Sequence, residues 1–295
     1  GACLALHQAD WVLGRLTSRY GVSDWNNCLK LGFDPAVGVW PDWVMDLDPM
    51  GIALPEVLAP GTPVAPLTPE VLDATGLPAG TLAVAGTTDS TAAVLAAGAA
   101  TVGDAVTALG STLVIKVLGE RPVSAPGFGV YSQRLGDLWL IGGASNSGGA
   151  VLRRYFDDEQ LRRLSAGIDP EHPSGLDYYP LPAPGERFPI NDPDLAPLLS
   201  PRPADDRVFL QGMLEGIARI ESRGYGLLRE LGAPPARRVL SIGGGAANPV
   251  WTRIRERLLG VPVSAAAHRE AAYGAARLAL FGPNLGSARH DRPGL

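Results

Sequence analysis

An α/β fold is predicted for this chain by three stretches that each join an extended apolar run to a small-residue turn. Residues 83–86 (AVAG) form a short apolar run ending at glycine, and residues 89–100 follow with alanine and other apolar residues on a helical period. Residues 105–109 and 113–118 are two β-type runs joined by Gly110-Ser111-Thr112. Residues 239–242 run straight into Gly243-Gly244-Gly245-Ala246, after which Asn248-Pro249 opens a helical pattern through Leu259.

The remaining elements follow in order. Residues 7–16 have apolar positions at helical spacing, with Gly21 as the stop, and residues 22–27 (VSDWNN) read as a polar loop. Asp24 and Asn27 there are turn formers, with contact to a polar substrate as the functional alternative. Residues 40–46 are helical and 54–57 extended, and residues 67–74 form a helix with Thr68 as cap and Pro69 in its first turn. Two strands flank Gly136-Asp137 within residues 130–143, a hairpin signal. Residues 144–149 (ASNSGG) lead into a helix near 150–156, and Gly148 and Gly149 allow close backbone packing. The proline-rich residues 169–206 lack a period and read as an interdomain wrap or a surface loop packed by its aromatics. Residues 207–231 are the clearest helix, with Leu210, Met213, Ile217 and Leu228 on a broad apolar stripe and Glu215 and Glu221 read as surface charges. A strand at 261–264, a small-residue helix at 270–280 and a frayed tail from Gly282 complete the chain.

At 295 residues the chain has room for about two domains, and its 46% hydrophobic and 19% charged residues are a globular composition. A net charge of −5 leaves no basic footprint for nucleic acid. The 2 cysteines, Cys3 and Cys28, and the 4 scattered histidines form no metal-binding pattern, so no metal ligands are assigned and a reducing compartment fits. No apolar run reaches the roughly 18 residues of a membrane span, and the chain reads as cytoplasmic, with no membrane partner and an undetermined oligomeric state.

Two kinds of chemistry-bearing position stand out. Asp89 and Ser90 fall at a helix start, where a carboxylate is either an N-cap or a group presented to a ligand. The Gly110-Ser111-Thr112 turn offers backbone N–H groups and two hydroxyls to phosphate oxygens, and Gly243–Gly245 brings backbone and a helix N-terminus to the same task. The latter is neither a Walker loop nor a dinucleotide fingerprint. A hydrolase is disfavoured, because no histidine shares a motif with Asp89 or the glycine turns.

The segments GTTDS (86–90), LGST (109–112), GGGAAN (243–248) with Trp251, and the ending from Leu258 to Ala276 together resemble the FGGY carbohydrate kinases. The wording HQADW, VSDWNN, APGTP and GGASNSGGAVLR is most similar to the D-ribulose kinases of plants and cyanobacteria, the xylulose kinase-like group. The resemblance implies an actin-like ATPase (ribonuclease H-like) fold. Residues 1–86 would then be the C-terminal part of a sugar-binding domain, and residues 87–295 a complete ATP-binding domain. It further implies ATP- and Mg2+-dependent phosphorylation of a ketopentose, D-ribulose to D-ribulose 5-phosphate. D-xylulose or sedoheptulose kinase activity and a non-catalytic nucleotide-binding protein are the alternatives.

On that resemblance Asp89 matches the general base, with Ser90 beside it at the sugar. Gly110, Ser111 and Thr112 match a phosphate-binding hairpin. Gly244, Gly245, Asn248 and Trp251 match the adenine and ribose side, with Trp251 offering an apolar face to the base. The DxGT-type hairpin that opens these kinases does not precede the matched residues, so the sequence resembles a member lacking its lead segment. A chain that begins here is expected to be inactive or very weak by itself.

Overall fold

The computed structural model describes residues 3–46 and 51–282; the tail expected from Gly282 lies, beyond that residue, outside the described residues. The chain divides into two compact units, one holding the residues up to Ala96, Gln133–Leu138 and the residues from Glu270, the other holding Ala97–Ser132 and Trp139–Arg269. The first of these stretches ends at Ala96, beyond Gly86. The reason is a helix pair in the first unit: a Cβ on Gly274 would come within 1.8 Å of the Ala92 carbonyl oxygen, and Arg277 donates to the Leu95 carbonyl at 2.6 Å. Only a residue without a side chain lets the Ala271–Phe281 helix approach the Asp89–Ala97 helix this closely.

The second unit is built on the strands Val263–Ala265, Arg238–Ile242, Asp104–Leu109, Leu113–Gly119 and Leu138–Ser145, hydrogen-bonded neighbours in that order. The first three strands are parallel, with Arg238 opposite Asp104 and Ile242 opposite Ala108, and Asp104–Leu109 turns back antiparallel into Leu113–Gly119. Asp104–Leu109 and Arg238–Ile242 lie inside the sheet and are buried along nearly their whole length, as parallel strands covered on both faces are. The Asp206–Glu230 helix starts where the Asp205 carboxylate accepts the Arg207 amide at 2.8 Å, and its stripe of Phe209, Leu210, Met213, Ile217 and Leu228 fills a core shared with Leu109, Ile115, Ile141 and Val239.

Glu215 and Glu221 are not surface charges. Both are buried: Glu215 accepts the Ser174 hydroxyl at 2.7 Å and Arg257 at 2.9 Å, and Glu221 accepts Arg255 at 2.6 and 2.7 Å. The irregular stretch after Asp169 packs on the same helix through its aromatics. Tyr178 and Phe188 are buried, and Gly212 and Gly216 leave room for Tyr178 and Pro180. One helix, Asp158–Ala166, was not signalled by apolar periodicity; the Asp157 and Gln160 capping box starts it.

Thr68 caps the Pro69–Thr75 helix, and the Gln8–Thr17 helix ends at Ser18, in the left-handed region at φ 59, before Gly21 is reached. Residues 22–27 are not a loop: Val22–Asp24 is a strand parallel to Glu56–Leu58, and Trp25–Cys28 is a helical turn. Asp24 caps that turn, accepting the amides of Asn26 at 2.9 Å and Asn27 at 3.1 Å and the Asn27 side chain at 2.6 Å. Burial pushes its carboxyl above the ordinary range despite these bonds, and burial pushes the Cys28 thiol up to about 12. Among the described residues no helix is long and apolar enough to cross a membrane.

Candidate functional site

Asp89 opens its helix, yet it is not the cap. The Thr88 hydroxyl accepts the Thr91 amide at 3.3 Å, the bond a cap makes to the third helical residue. That leaves Asp89 in the first turn, exposed, its carboxylate accepting the Ser90 amide at 2.7 Å. An acid there is favoured by the positive end of the helix. The loop before it is held on two sides within the first unit. Asn26 donates to the Thr87 hydroxyl at 3.0 Å and exchanges two bonds with the Arg134 backbone at 2.9 and 3.0 Å. The buried Gln133 donates to the Thr88 hydroxyl at 2.9 Å. Ser90 is half-buried, its hydroxyl 3.3 Å from that of Thr88.

The glycine turns belong to the second unit, where Gly110–Thr112 and Gly243–Gly245 come together. A Cβ on Gly243, whose φ is +82, would stand 2.8 Å from the Leu109 carbonyl oxygen, and one on Gly245 would stand 2.8 Å from the Leu109 Cβ. Both turns leave the ends of neighbouring strands, the usual place for a ligand in an α/β sheet. Gly148 and Gly149 press on the other side of the Gly110 turn: a Cβ on Gly148 would meet the Ser111 carbonyl oxygen at 2.7 Å, and one on Gly149 the Gly110 carbonyl oxygen at 2.8 Å. The Gly149 and Ala150 amides take the Gly110 and Ser111 carbonyls at 2.8 and 3.1 Å, and the Leu113 amide takes the Ser147 carbonyl at 2.7 Å. The close packing expected of Gly148 and Gly149 is thus seen, and its object is the hairpin turn.

With those carbonyls occupied, the amides of Gly110, Ser111, Thr112, Gly244 and Gly245 have no backbone acceptor among the described residues. Ser111 and Gly244 are exposed, and Gly110, Thr112 and Gly245 half-buried. Clustered free N–H groups around glycine turns are a physical match for phosphate oxygens. Among the described residues no group of three acidic, histidine or cysteine side chains could hold a metal ion.

Asn248 and Trp251 support the turn. Asn248 caps the Pro249–Leu259 helix, accepting the Val250 and Trp251 amides at 3.1 Å each, and its amide donates to Ser165 at 2.9 Å. Trp251 is 2% exposed, and its indole N–H donates to the Leu214 carbonyl at 3.1 Å. Its ring lies 2.5 Å from where a Gly245 Cβ would be. Trp251, expected to turn an apolar face to a base, has its ring inside the core, and Gly245 rests on it. Asp89 and Ser90 lie in one unit and the glycine turns in the other.

The sequence reading did not single out Gln133 or Glu186. The latter is 2% exposed and accepts the Ser145 hydroxyl at 2.5 Å, the Asn146 amide at 2.7 Å, the Tyr179 hydroxyl at 3.0 Å and the Arg187 amide at 3.0 Å. Burial and then the neighbouring Glu186 carboxylate push the Tyr179 phenol upward. A charge flanked by prolines carries no periodic signal, so its burial was not legible.

Residues 105–282 match the C-terminal domain of the FGGY family of carbohydrate kinases. Over 230 residues the chain is 30% identical to the xylulose kinase of Bacillus subtilis (strain 168), an alignment covering 74% of this chain and 46% of that protein. The chain therefore spans about half the length of this curated relative. The crystal structure of a xyloylose kinase from Brucella ovis matches with a TM-score of 0.84 at 22% identity, over 95% of this chain and 60% of that one. Plasmodium falciparum glycerol kinase with ADP matches with a TM-score of 0.77 at 16% identity, over 94% and 57% of the two chains. These likenesses give the fold, the actin-like ATPase fold of the FGGY sugar kinases. By the domain match over more than half of its residues, the chain belongs to the FGGY family of carbohydrate kinases.

Proposed function

We propose that this chain carries the nucleotide-binding part and the general base of an ATP-dependent kinase that phosphorylates a ketopentose, D-ribulose in the first instance. The observation that carries the reading is Asp89: its capping duty is taken by Thr88, so an exposed carboxylate is left at a helix start. An aspartate so presented orients an acceptor hydroxyl and takes its proton, while positioning and charge neutralisation supply most of the acceleration. The amides of the Gly110 and Gly244 turns would hold the phosphates of ATP, and Mg2+ would arrive with those phosphates.

D-Xylulose is the second reading, favoured by the xylulose kinase of Bacillus subtilis that the chain matches. The test is sugar-dependent ADP release by the protein containing this chain, offered D-ribulose, D-xylulose, sedoheptulose and glycerol. Turnover with D-ribulose above the others is expected. Asp89→Asn should lower it by about a hundred- to ten-thousand-fold with the ATP Kd changed less than about 2-fold, since a base is not a nucleotide ligand. Undiminished turnover in Asp89→Asn removes the general-base assignment, and ATP binding without turnover on any sugar favours a non-catalytic nucleotide-binding protein.

A further inference from the structure

The hydrogen bonds that end on the Gly110–Thr112 turn can be followed inward to one carboxylate. The Leu113 amide, immediately after the turn, is held by the Ser147 carbonyl at 2.7 Å; the Ser147 amide is held by the Ser145 hydroxyl at 3.0 Å; the Ser145 hydroxyl donates to Glu186 at 2.5 Å. The other carboxylate oxygen takes the Asn146 amide at 2.7 Å. Glu186 thus faces four donors, two at each oxygen: the Ser145 and Tyr179 hydroxyls at one, the Asn146 and Arg187 amides at the other. The strand end it grips, residues 145–147, leads into Gly148 and Gly149, whose backbone presses on the turn and takes its carbonyls.

We propose that Glu186 is a positioning residue for the phosphate-binding turn: through Ser145 and Ser147 it fixes the Gly148-Gly149 backbone and so aims the free amides of Gly110, Ser111 and Thr112. The inference rests on the reading of that turn as the phosphate site. Two further bonds join the same segments, from Asn146 to the Gly185 carbonyl at 3.0 Å and from Arg187 to the Ala144 carbonyl at 2.7 Å. Loss of the carboxylate therefore loosens the aim of the turn while the segments stay attached. Glutamine keeps the volume but turns an N–H2 toward two hydroxyls or two amides. Hydroxyls can rotate to accept it and amides cannot, so Glu186→Gln is the milder change.

The experiment is calorimetric titration of the full chain with ADP and with adenosine, for the wild type, Glu186→Ala, Glu186→Gln, Ser145→Ala and the Glu186→Ala/Ser145→Ala double variant. Glu186→Ala should weaken ADP by about 10- to 100-fold, the scale of one or two buried hydrogen bonds. Adenosine, which carries no phosphate, should change less than about 2-fold. Ser145→Ala should act in the same direction, and the double variant should be no worse than Glu186→Ala alone, as for two links of one chain. Glu186→Gln should fall between wild type and Glu186→Ala.

Equal weakening of ADP and adenosine, or wild-type ADP affinity in both Glu186→Ala and Ser145→Ala, overturns the positioning role. If Glu186→Ala does not fold, Ser145→Ala and Glu186→Gln carry the same comparison. A wild-type chain that binds adenosine as tightly as ADP overturns the phosphate reading itself, and the proposal with it.

Discussion

In the second unit the mixed sheet and the Asp206–Glu230 helix enclose a continuous apolar core with members from Ala105 to Val263, whereas in the first unit two-stranded ladders enclose groups as small as Val22, Val64 and Ala85. The surfaces differ accordingly: Trp11 and Trp43 in the first unit are 55% and 59% exposed, with Val37, Val39 and Met45 also open. Two-stranded ladders are marginal unless something packs on them, and stability within one chain is rarely uniform. A deep core also permits what a shallow one does not, a fully buried ion pair. Arg255 and Glu221 are both 0% exposed, and the pair is completed by Ser241 at 2.7 Å and by Thr107 at 2.6 Å, which in turn meets Tyr225 at 2.9 Å. Burial would lower the Arg255 guanidinium, but Glu221 outweighs it and raises it further, while burial raises the Tyr225 phenol.

The largest expected effect tests whether that pair is what the deep core supports. Arg255→Leu leaves the Glu221 carboxylate buried without its counter-charge and should destabilise the second unit by about 3–5 kcal/mol. Urea unfolding followed by native-state hydrogen exchange reads this as protection lost from the Asp104–Leu109 and Arg238–Ile242 strands, down to the level of the first unit. Replacing both partners by apolar residues should recover much of the loss. If Arg255→Leu costs no more than a surface substitution, the contrast between the units does not rest on buried electrostatics.

What was legible in the sequence follows the range of the forces involved. The Thr68-Pro69 start, the long helix and the glycine turns are set by neighbours in the chain, and each lies within a residue or two of its expected place. Glu221 was misread because Arg255 stands far along the chain and on another helix. The burial of Trp251 was not legible because amphipathic spacing does not say that its ring will be capped by Leu214 and Gly245. At Thr88-Asp89-Ser90 three residues in a row are able to cap, and only backbone geometry selects Thr88. Asp89 and the two glycine turns were therefore recognisable as positions, while their supports, Asn26, Gln133 and Glu186, were not.

A middle-sized effect separates the packed side of the glycine turn from its open side. Gly245→Ala drives a methyl into the Trp251 ring, where the nearest ring atom is 2.5 Å from the new Cβ, and should cost about 1–3 kcal/mol. Gly244→Ala meets nothing within 4 Å and should stay within about 0.5 kcal/mol. Thermal unfolding of the two variants side by side checks this. Equal cost in both would mean that the turn tightens on Gly245 less than its packing on Trp251 implies.

The smallest effects have opposite signs in the two units. Burial would raise the Asp104 carboxyl, but the hydrogen bonds from Arg238 and from the Ala100 and Thr101 amides outweigh it and hold it at about 2, below its ordinary 3.8. A depressed acid stabilises the fold above its unfolded value and loses that contribution as pH falls through its folded one, so the second unit should weaken between about pH 4 and pH 2. Asp24 in the first unit is raised, chiefly by burial, so its contribution is complete below 3.8 and is lost as pH rises through its folded value. On acidification the two groups therefore shift the stabilities of their units in opposite directions. Asp104→Asn should flatten the acid loss in the strands it joins. Asp24→Asn, which can still cap the Trp25–Cys28 turn, should abolish the acid gain around it, both read by exchange protection from neutral pH down to pH 2. If the two variants shift protection in the same direction, the difference between a paired acid in a deep core and a desolvated one in a shallow unit is not what sets the acid response.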